Sequence, residues 1–101
     1  MDYVDGYPPT INDPEATEKL LHAAREIVGD GAGHPYLSMG AEDFSYFLQK
    51  VPGCYFLIGS APDDREPLSV PHHCSHFDID ERALLVGSSV YLQLAENLLI
   101  L

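Results

Sequence analysis

The chain has 101 residues, so one domain with a modest core is expected. Sixteen acids against five Lys and Arg give a formal net charge of −11, which disfavours nucleic acid and anionic membrane surfaces as partners. No stretch approaches the roughly 20 apolar residues that cross a bilayer, and we expect no secretory signal in the acidic start MDYVDGYPPT. Cys54 and Cys74 are too few for a disulfide framework, so reduced thiols and a cytoplasmic location are expected.

The first part of the chain predicts a short edge strand followed by a helix. The strand is expected at residues 1–7, and the prolines of YPPTINDPE end it because proline donates no backbone hydrogen bond. Asn12 or Asp13 before Pro14 is typical of a helix start, and the glycines from position 29 to position 33 are typical of a helix end. Apolar residues recur between them at helical spacing: Leu20, Leu21, Ala24, Ile27 and Val28.

The rest of the chain predicts two more helices and a buried strand. After an extended piece, HPYLSMG, a helix is expected over residues 41–50, and VPG stops it. The apolar run CYFLIG, residues 54–59, is typical of a strand buried on both faces. A long helix is expected over residues 80–99, with Asp78 and Glu81 in a capping pattern. This order of elements indicates an α/β fold. The expected buried face of the last helix is Leu84, Leu85, Tyr91, Leu94, Leu98 and Leu99.

The most concentrated polar feature is VPHHCSHFDIDE, residues 70–81, which lies between the predicted buried strand and the last helix. Neutral imidazole binds zinc, manganese and similar cations, and loops after strands are common ligand sites in α/β sheets. The spacing of His72, His73 and His76 nevertheless matches no closed zinc motif. The residues alone leave two alternatives, a metal ligand or a solvated polar loop.

A second candidate site is SMGAEDF, residues 38–44. A glycine just before a helix frees backbone N–H groups that can bind an anion such as a carboxylate. The alternative is that Gly40 is only a turn residue and that Glu42 and Asp43 only complement the helix dipole. No motif for nucleophilic catalysis is present, since Cys74 and His73 are adjacent and rarely make the contact that a Cys–His pair needs.

Four ordered segments resemble the metal-dependent amidohydrolases of the aminoacylase and carboxypeptidase group. They are YVDGYPPTINDPEATEKL, SMGAEDFSYFLQK, VPGCYFLIGS and HHCSHFDIDERAL, and together they cover nearly the whole chain. The branch that includes hippurate hydrolase, N-acyl-L-amino acid amidohydrolase and the auxin-conjugate hydrolases is the most similar. The resemblance implies part of a three-layer αβα sandwich of the zinc-exopeptidase type, with about three helices and two to three strands. It implies that residues 1–10 are the last strand and exit of an inserted dimerisation domain, and that residues 11–101 are the C-terminal portion of the catalytic domain.

The resemblance also implies site residues. In the family's histidine loop the metal ligand stands four residues before the phenylalanine, which is Phe77 here, so the ligand position falls on His73. His72 and His76 are then neighbours, and Ser75 stands where the family usually has proline. Gly40 matches a glycine near the family's substrate-binding region, which implies a backbone contact to the substrate carboxylate. The other ligands of a binuclear zinc or manganese centre, and the glutamate that acts as general base, are expected on polypeptide outside this chain. No catalytic residue is assigned within it.

The functional prediction is therefore a portion of an amidohydrolase that cleaves N-acyl amino acids or peptides, and that is inactive alone. An alternative is a non-enzymatic interaction module derived from the same fold. A third is a metal-binding protein whose His72, His73, Cys74 and His76 form a site between subunits. Part of a larger sheet exposes apolar surface and strand edges, so a homo-oligomer, such as a dimer with exchanged elements, or a complementary N-terminal chain is expected.

Overall fold

The computed structural model describes residues 1–33, 36–66, 69 and 71–99. Two long α-helices pack against each other, α1 at Pro14–Val28 and α3 at Arg82–Leu99. A 3₁₀ turn at Gly29–Gly31 follows α1, and a single-turn helix, α2, lies at Ser45–Leu48. The three predicted helices are therefore present. The two long ones form the frame on which the rest of the chain is arranged.

The start and end of α1 are confirmed. The Asp13 carboxylate caps the helix, because its Oδ2 accepts a hydrogen bond from the N–H of Ala16 at 2.9 Å. Pro14 occupies the first turn, where the missing N–H has no partner to lose. The helix ends at Gly29, whose φ of 57° lies in the left-handed region that favours glycine. Local signals alone determine this element.

The helix predicted over residues 41–50 is reduced to Ser45–Leu48. The Glu42 side chain accepts from the N–H of Phe44 at 3.2 Å, and the Ser45 hydroxyl donates to the Glu42 carbonyl at 2.6 Å. These side-chain bonds hold residues 42–45 in a turn, since polar side chains compete with the helical backbone pattern. The prediction that Glu42 and Asp43 form the first helical turn is therefore wrong.

Residues 54–59, here called the extended segment, run along α3 without forming a strand. Cys54, Phe56 and Ile58 are half-buried, while Tyr55 and Leu57 are exposed. The Phe56 ring lies 5.5 Å from the Tyr91 ring of α3, measured between centroids. Every second side chain therefore packs on the helices, and burial on both faces, as predicted, is wrong. No strand occurs among the described residues, including residues 1–7, and His34 and Pro35 of the predicted HPYLSMG piece lie outside them.

The helix α3 begins close to its predicted start but buries a different face. Asp80, and not Asp78, caps it: the Asp80 Oδ1 accepts from the N–H of Arg82 at 2.9 Å. Its buried residues are Gly87 and Val90, and α1 buries Leu20 and Ala23. Of the predicted buried face, Leu94 is half-buried and the other five are exposed: Leu84, Leu85, Tyr91, Leu98 and Leu99. The predicted buried face is wrong because α3 carries two apolar faces, and the face with the smaller residues is the one that packs against α1.

Candidate metal-ligand loop and Gly40 turn

The predicted ligand lies on an exposed loop just before α3. This histidine loop, residues 71–80, has no regular secondary structure beyond turns. The side chains of His72, His73 and His76 are exposed, and Cys74 is half-buried with a free thiol. Within the described parts of the chain, no hydrogen bond or ring contact occupies the His73 side chain. Its ring nitrogens are therefore open to a ligand.

Contacts on either side of His73 hold the histidine loop in shape. The Arg65 guanidinium donates to the His76 carbonyl at 2.9 Å, which joins the preceding polar loop to the histidine loop. The His72 ring stands edge-on to the Phe77 ring, with centroids 4.9 Å apart. The N–H of Phe77 donates to the Cys74 carbonyl at 3.0 Å and closes a turn. These contacts engage the neighbours of His73 and leave its imidazole exposed.

The junction between the histidine loop and α3 is held by Arg82. Its Nε donates to both oxygens of Asp80, at 3.0 and 2.8 Å, and its Nη2 donates to Asp63 at 2.8 Å and also to Asp80. The N–H of Asp80 donates to the Ser60 carbonyl at 2.7 Å. The side-chain hydrogen bonds from Arg82 hold the pKa of Asp80 below its ordinary value, and the two carboxylates raise the pKa of Arg82.

Gly40 lies in an exposed turn ahead of α2, and its N–H donates to the Ser38 hydroxyl at 3.1 Å. Next to it, the Glu42 carboxylate accepts from the Tyr55 hydroxyl at 3.0 Å. The N–H of Phe44, then the side chains of Asp43 and Tyr55, lower the pKa of Glu42, and its carboxylate raises the pKa of Tyr55. Glu42 therefore anchors the turn to the extended segment as a carboxylate.

The structure does not join the two predicted sites into one. In the described ranges, no hydrogen bond links the histidine loop to the Gly40 turn. A groove of about 510 Å³ lies between residues 9–14 and residues 45–53, and neither His73 nor Gly40 lines it. Among the described residues, no group of three or more His, Cys, Asp or Glu side chains could hold a metal ion. A catalytic metal usually needs three protein ligands, which the described residues do not bring together.

The residues that position the histidine loop cannot be recognised from the sequence. Arg65, Asp63 and Arg82 are charged residues in polar surroundings, and their spacing matches no motif. The one available signal is that basic residues are scarce. The chain has only five Lys and Arg, and two of them, Arg65 and Arg82, hold this loop.

Comparisons with known proteins give the family. The sequence pattern of "Peptidase family M20/M25/M40" matches residues 1–97. The chain belongs to this family. The amidohydrolase resemblance is confirmed, and the family implies an α/β peptidase fold.

Relatives in archaea and plants cover most of this chain. Thermostable carboxypeptidases 1 and 2 of Saccharolobus solfataricus are each 40% identical over 91 residues, or 90% of this chain. IAA-amino acid hydrolase ILR1-like 4 of Arabidopsis thaliana is 33% identical over 100 residues, or 93% of this chain. The match spans only 22% of each carboxypeptidase and 21% of the plant hydrolase. No solved structure matches the chain.

Among the described residues, no helix is long and apolar enough to span a membrane.

Proposed function

We propose that the chain is a C-terminal portion of the catalytic domain of a metal-dependent amidohydrolase that cleaves N-acyl amino acids or peptides. The observation that carries this proposal is the family match over residues 1–97, which includes both the Gly40 turn and the histidine loop. The relatives are named carboxypeptidase and IAA-amino acid hydrolase, names that describe hydrolysis of a bond to an amino acid. The chain contributes one metal ligand and part of the substrate wall.

His73 is the ligand in this proposal. Its ring is exposed and makes no hydrogen bond or ring contact with the described residues, whereas the His72 ring packs edge-on against the Phe77 ring. A neutral imidazole supplies the nitrogen lone pair that zinc or manganese accepts. Once bound, such a metal polarises an amide carbonyl and lowers the pKa of a bound water. The remaining ligands and the general base come from polypeptide beyond this chain, which therefore carries no catalytic residue and does not hold the metal stably alone.

Gly40 contributes to the substrate wall. Its N–H points at the Ser38 hydroxyl, which is a weaker acceptor than a carboxylate. A substrate carboxylate that approaches this exposed turn would take over the N–H from Ser38. The role given to Gly40 is therefore a single backbone hydrogen bond, without charge from a side chain.

The same proposal fixes the place of the chain in the complete fold. Residues 11–101 belong to a three-layer αβα sandwich, and residues 1–10 are the exit from the inserted dimerisation domain. The extended segment, which alternates half-buried and exposed side chains, is the strand of that sandwich. Cys54 and Cys74 are free thiols, which suits the proposed cytoplasmic location.

A second candidate is a non-enzymatic interaction module that keeps the fold. It is compatible with the finding that the described residues gather no three metal-ligating side chains, which the first proposal expects as well. The two candidates differ in what His73 does. In the module His73 is a solvated loop residue, and its removal changes nothing but the loop surface.

The test uses a carboxypeptidase chimera, in which this chain replaces the matching 91-residue segment of thermostable carboxypeptidase 1. We expect His73→Ala to remove bound zinc or manganese and to lower peptide hydrolysis by at least about 100-fold. The loss of a metal ligand should reduce activity at least as much as the loss of a residue that supports a ligand. The control is His76→Ala, whose side chain is exposed and whose contact with Arg65 uses only the backbone. It should stay within about twofold of the parent.

Equal metal content and hydrolysis in the two variants would contradict the ligand assignment and favour the interaction module. The chain alone, assayed with the same peptides and either metal, is expected to show no hydrolysis. Metal-dependent hydrolysis by the chain alone would show that it holds a complete centre.

A further inference from the structure

An apolar face of α3 is mostly exposed among the described residues. This outer face comprises six exposed residues, Leu84, Leu85, Tyr91, Leu92, Leu98 and Leu99, which are between 57% and 72% exposed. At 100° per residue they span an arc of about 140°. The buried residues Gly87 and Val90 lie next to this arc, on the side that faces α1 and the extended segment. Four of the polar residues occupy a narrow arc: Arg82, Ser89, Gln93 and Glu96. Of the other two, Ser88 lies within the outer face and Asn97 bonds to Glu26 of α1. A helix that is apolar on nearly all sides is typical of one enclosed between layers.

The extended segment has one covered edge and one open edge. On one edge the N–H and C=O of Tyr55 bond to the Asn12 amide, and the Gly53 carbonyl accepts from the N–H of Asp13 at 2.8 Å. In an extended chain, alternate residues direct their backbone groups to opposite edges. The backbone groups of Cys54, Phe56 and Ile58 therefore face the other edge, and no backbone hydrogen bond engages them in the described ranges.

The outer face and the open edge are close together. Phe56 contacts Tyr91, which belongs to the outer face. Ile58 lies against Gly87, because a Cβ placed on that glycine would stand 2.8 Å from the Ile58 Cδ1. A sheet added at the open edge would continue the layer on which α3 rests. One partner that contains strands would then satisfy the backbone groups and cover the leucines together.

We propose that this surface, the outer face of α3 with the open edge of the extended segment, docks the part of an M20 catalytic domain that the relatives carry outside the matched region. The proposal rests on the proposed function, and it names the partner. The relatives have roughly four fifths of their length outside the match, since the match spans 22% of each carboxypeptidase. That length is ample for the missing strands.

A second copy of this chain fits the surface less well. It offers only its own extended segment at the open edge, because no strand is formed among its described residues, so it brings a single segment and not a sheet. It also carries the same formal charge of −11, so two copies repel each other. A strand-containing partner of the same family would satisfy the backbone groups of the open edge and cover the leucines.

Hydrogen exchange tests the docking surface without reference to activity. In the carboxypeptidase chimera, we expect the amides of Cys54, Phe56 and Ile58 to exchange on the order of 100-fold more slowly than in the chain alone. Leu92→Glu on the outer face should abolish this protection, and Gln49→Glu, which adds the same charge at an exposed residue outside this surface, is the control that should keep it. The chain alone should sediment as a monomer at micromolar concentration.

Two other outcomes overturn the proposal. A homodimer of the chain that Leu92→Glu dissociates would identify a second copy as the occupant. A chimera that fails to fold where the parent carboxypeptidase folds, or one whose open-edge amides exchange as fast as in the chain alone, would count against the remainder of the carboxypeptidase as the partner. A protected chimera whose metal content is insensitive to His73→Ala would retain the docking surface and reject only the ligand assignment.

Discussion

Asn12 shows at the residue scale how one side chain replaces a neighbouring strand. Its Nδ2 donates to the Tyr55 carbonyl at 2.9 Å, and its Oδ1 accepts from the Tyr55 N–H at 2.8 Å. This is the pair of bonds that two residues exchange in an antiparallel ladder. Because the adjacent Asp13 caps α1, the pair ties the start of that helix to the extended segment.

Asn12→Asp should destabilise the chain by about 1–2 kcal/mol in free energy of unfolding. The substitution keeps the acceptor for the Tyr55 N–H but places a carboxylate oxygen against the Tyr55 carbonyl, where a donor is needed. Urea unfolding followed by circular dichroism measures the change. The control is Gln49→Glu, the same amide-to-acid change at an exposed residue, which should stay within about 0.5 kcal/mol. An equal effect of the two changes would mean that added charge, and not the lost donor, is responsible.

At the scale of elements, the sequence predicts what local chemistry decides. The limits of α1 follow from Asp13, Pro14 and Gly29, which act on their own neighbours. The extended segment cannot be predicted in this way, because a strand exists only where another strand pairs with it. The packed face of α3 is ambiguous for a related reason: hydrophobic periodicity shows that a face is apolar, but it does not show what covers that face.

In the candidate site, too, some residues can be predicted from the sequence and others cannot. The order of motifs in the chain predicts that His73 is a metal ligand, and the exposure of its side chain is compatible with that role. Arg65 and Arg82, which hold the loop, act across 11 and 19 residues on His76 and Asp63. Contacts between separate loops leave no periodic or motif signal, so only the folded chain displays them.

Gly87→Leu tests the closest approach between α3 and the extended segment. Leucine is a better helix former than glycine by roughly 0.8 kcal/mol, but its Cβ would stand 2.8 Å from the Ile58 Cδ1. Overpacking costs typically 1–3 kcal/mol, so we expect net destabilisation, measured by urea unfolding. Ile58→Ala in the same chain should remove most of the penalty.

Ser88→Leu is the matched control for this prediction. Ser88 is the next residue along the same helix and its side chain is exposed, so this substitution should not destabilise the chain. If Gly87→Leu is as stable as Ser88→Leu, then α3 and the extended segment do not pack closely in solution.

At the scale of the whole molecule, the chain is larger than a compact domain of its length. Its radius of gyration is 15.9 Å, against about 13 Å for 100 residues. Among the described residues three apolar side chains are buried, Leu20, Ala23 and Val90, while many large apolar residues are exposed. So small a core contributes little hydrophobic free energy, and the net charge of −11 opposes compaction throughout.

Salt should therefore stabilise this chain at pH 7. Raising NaCl from about 0.02 M to about 0.3 M shortens the screening length from roughly 20 Å to roughly 6 Å, which weakens repulsion among the 16 acids. It also weakens exposed ion pairs such as Arg82 with Asp63, but each such pair is worth at most about 1 kcal/mol. The urea midpoint is expected to rise with salt.

The control is the same titration at pH 4.5, near the isoelectric point of about 4.5, where repulsion is smallest and the effect of salt should largely disappear. The Asp80–Arg82 pair still contributes at that pH. The pKa of Asp80 is lower in the folded chain, so its stabilising effect is present above the ordinary Asp pKa of about 3.9. That effect is lost only as pH falls through the lower folded value. A urea midpoint that falls with salt at pH 7 would mean that ion pairs outweigh the repulsion among the acids.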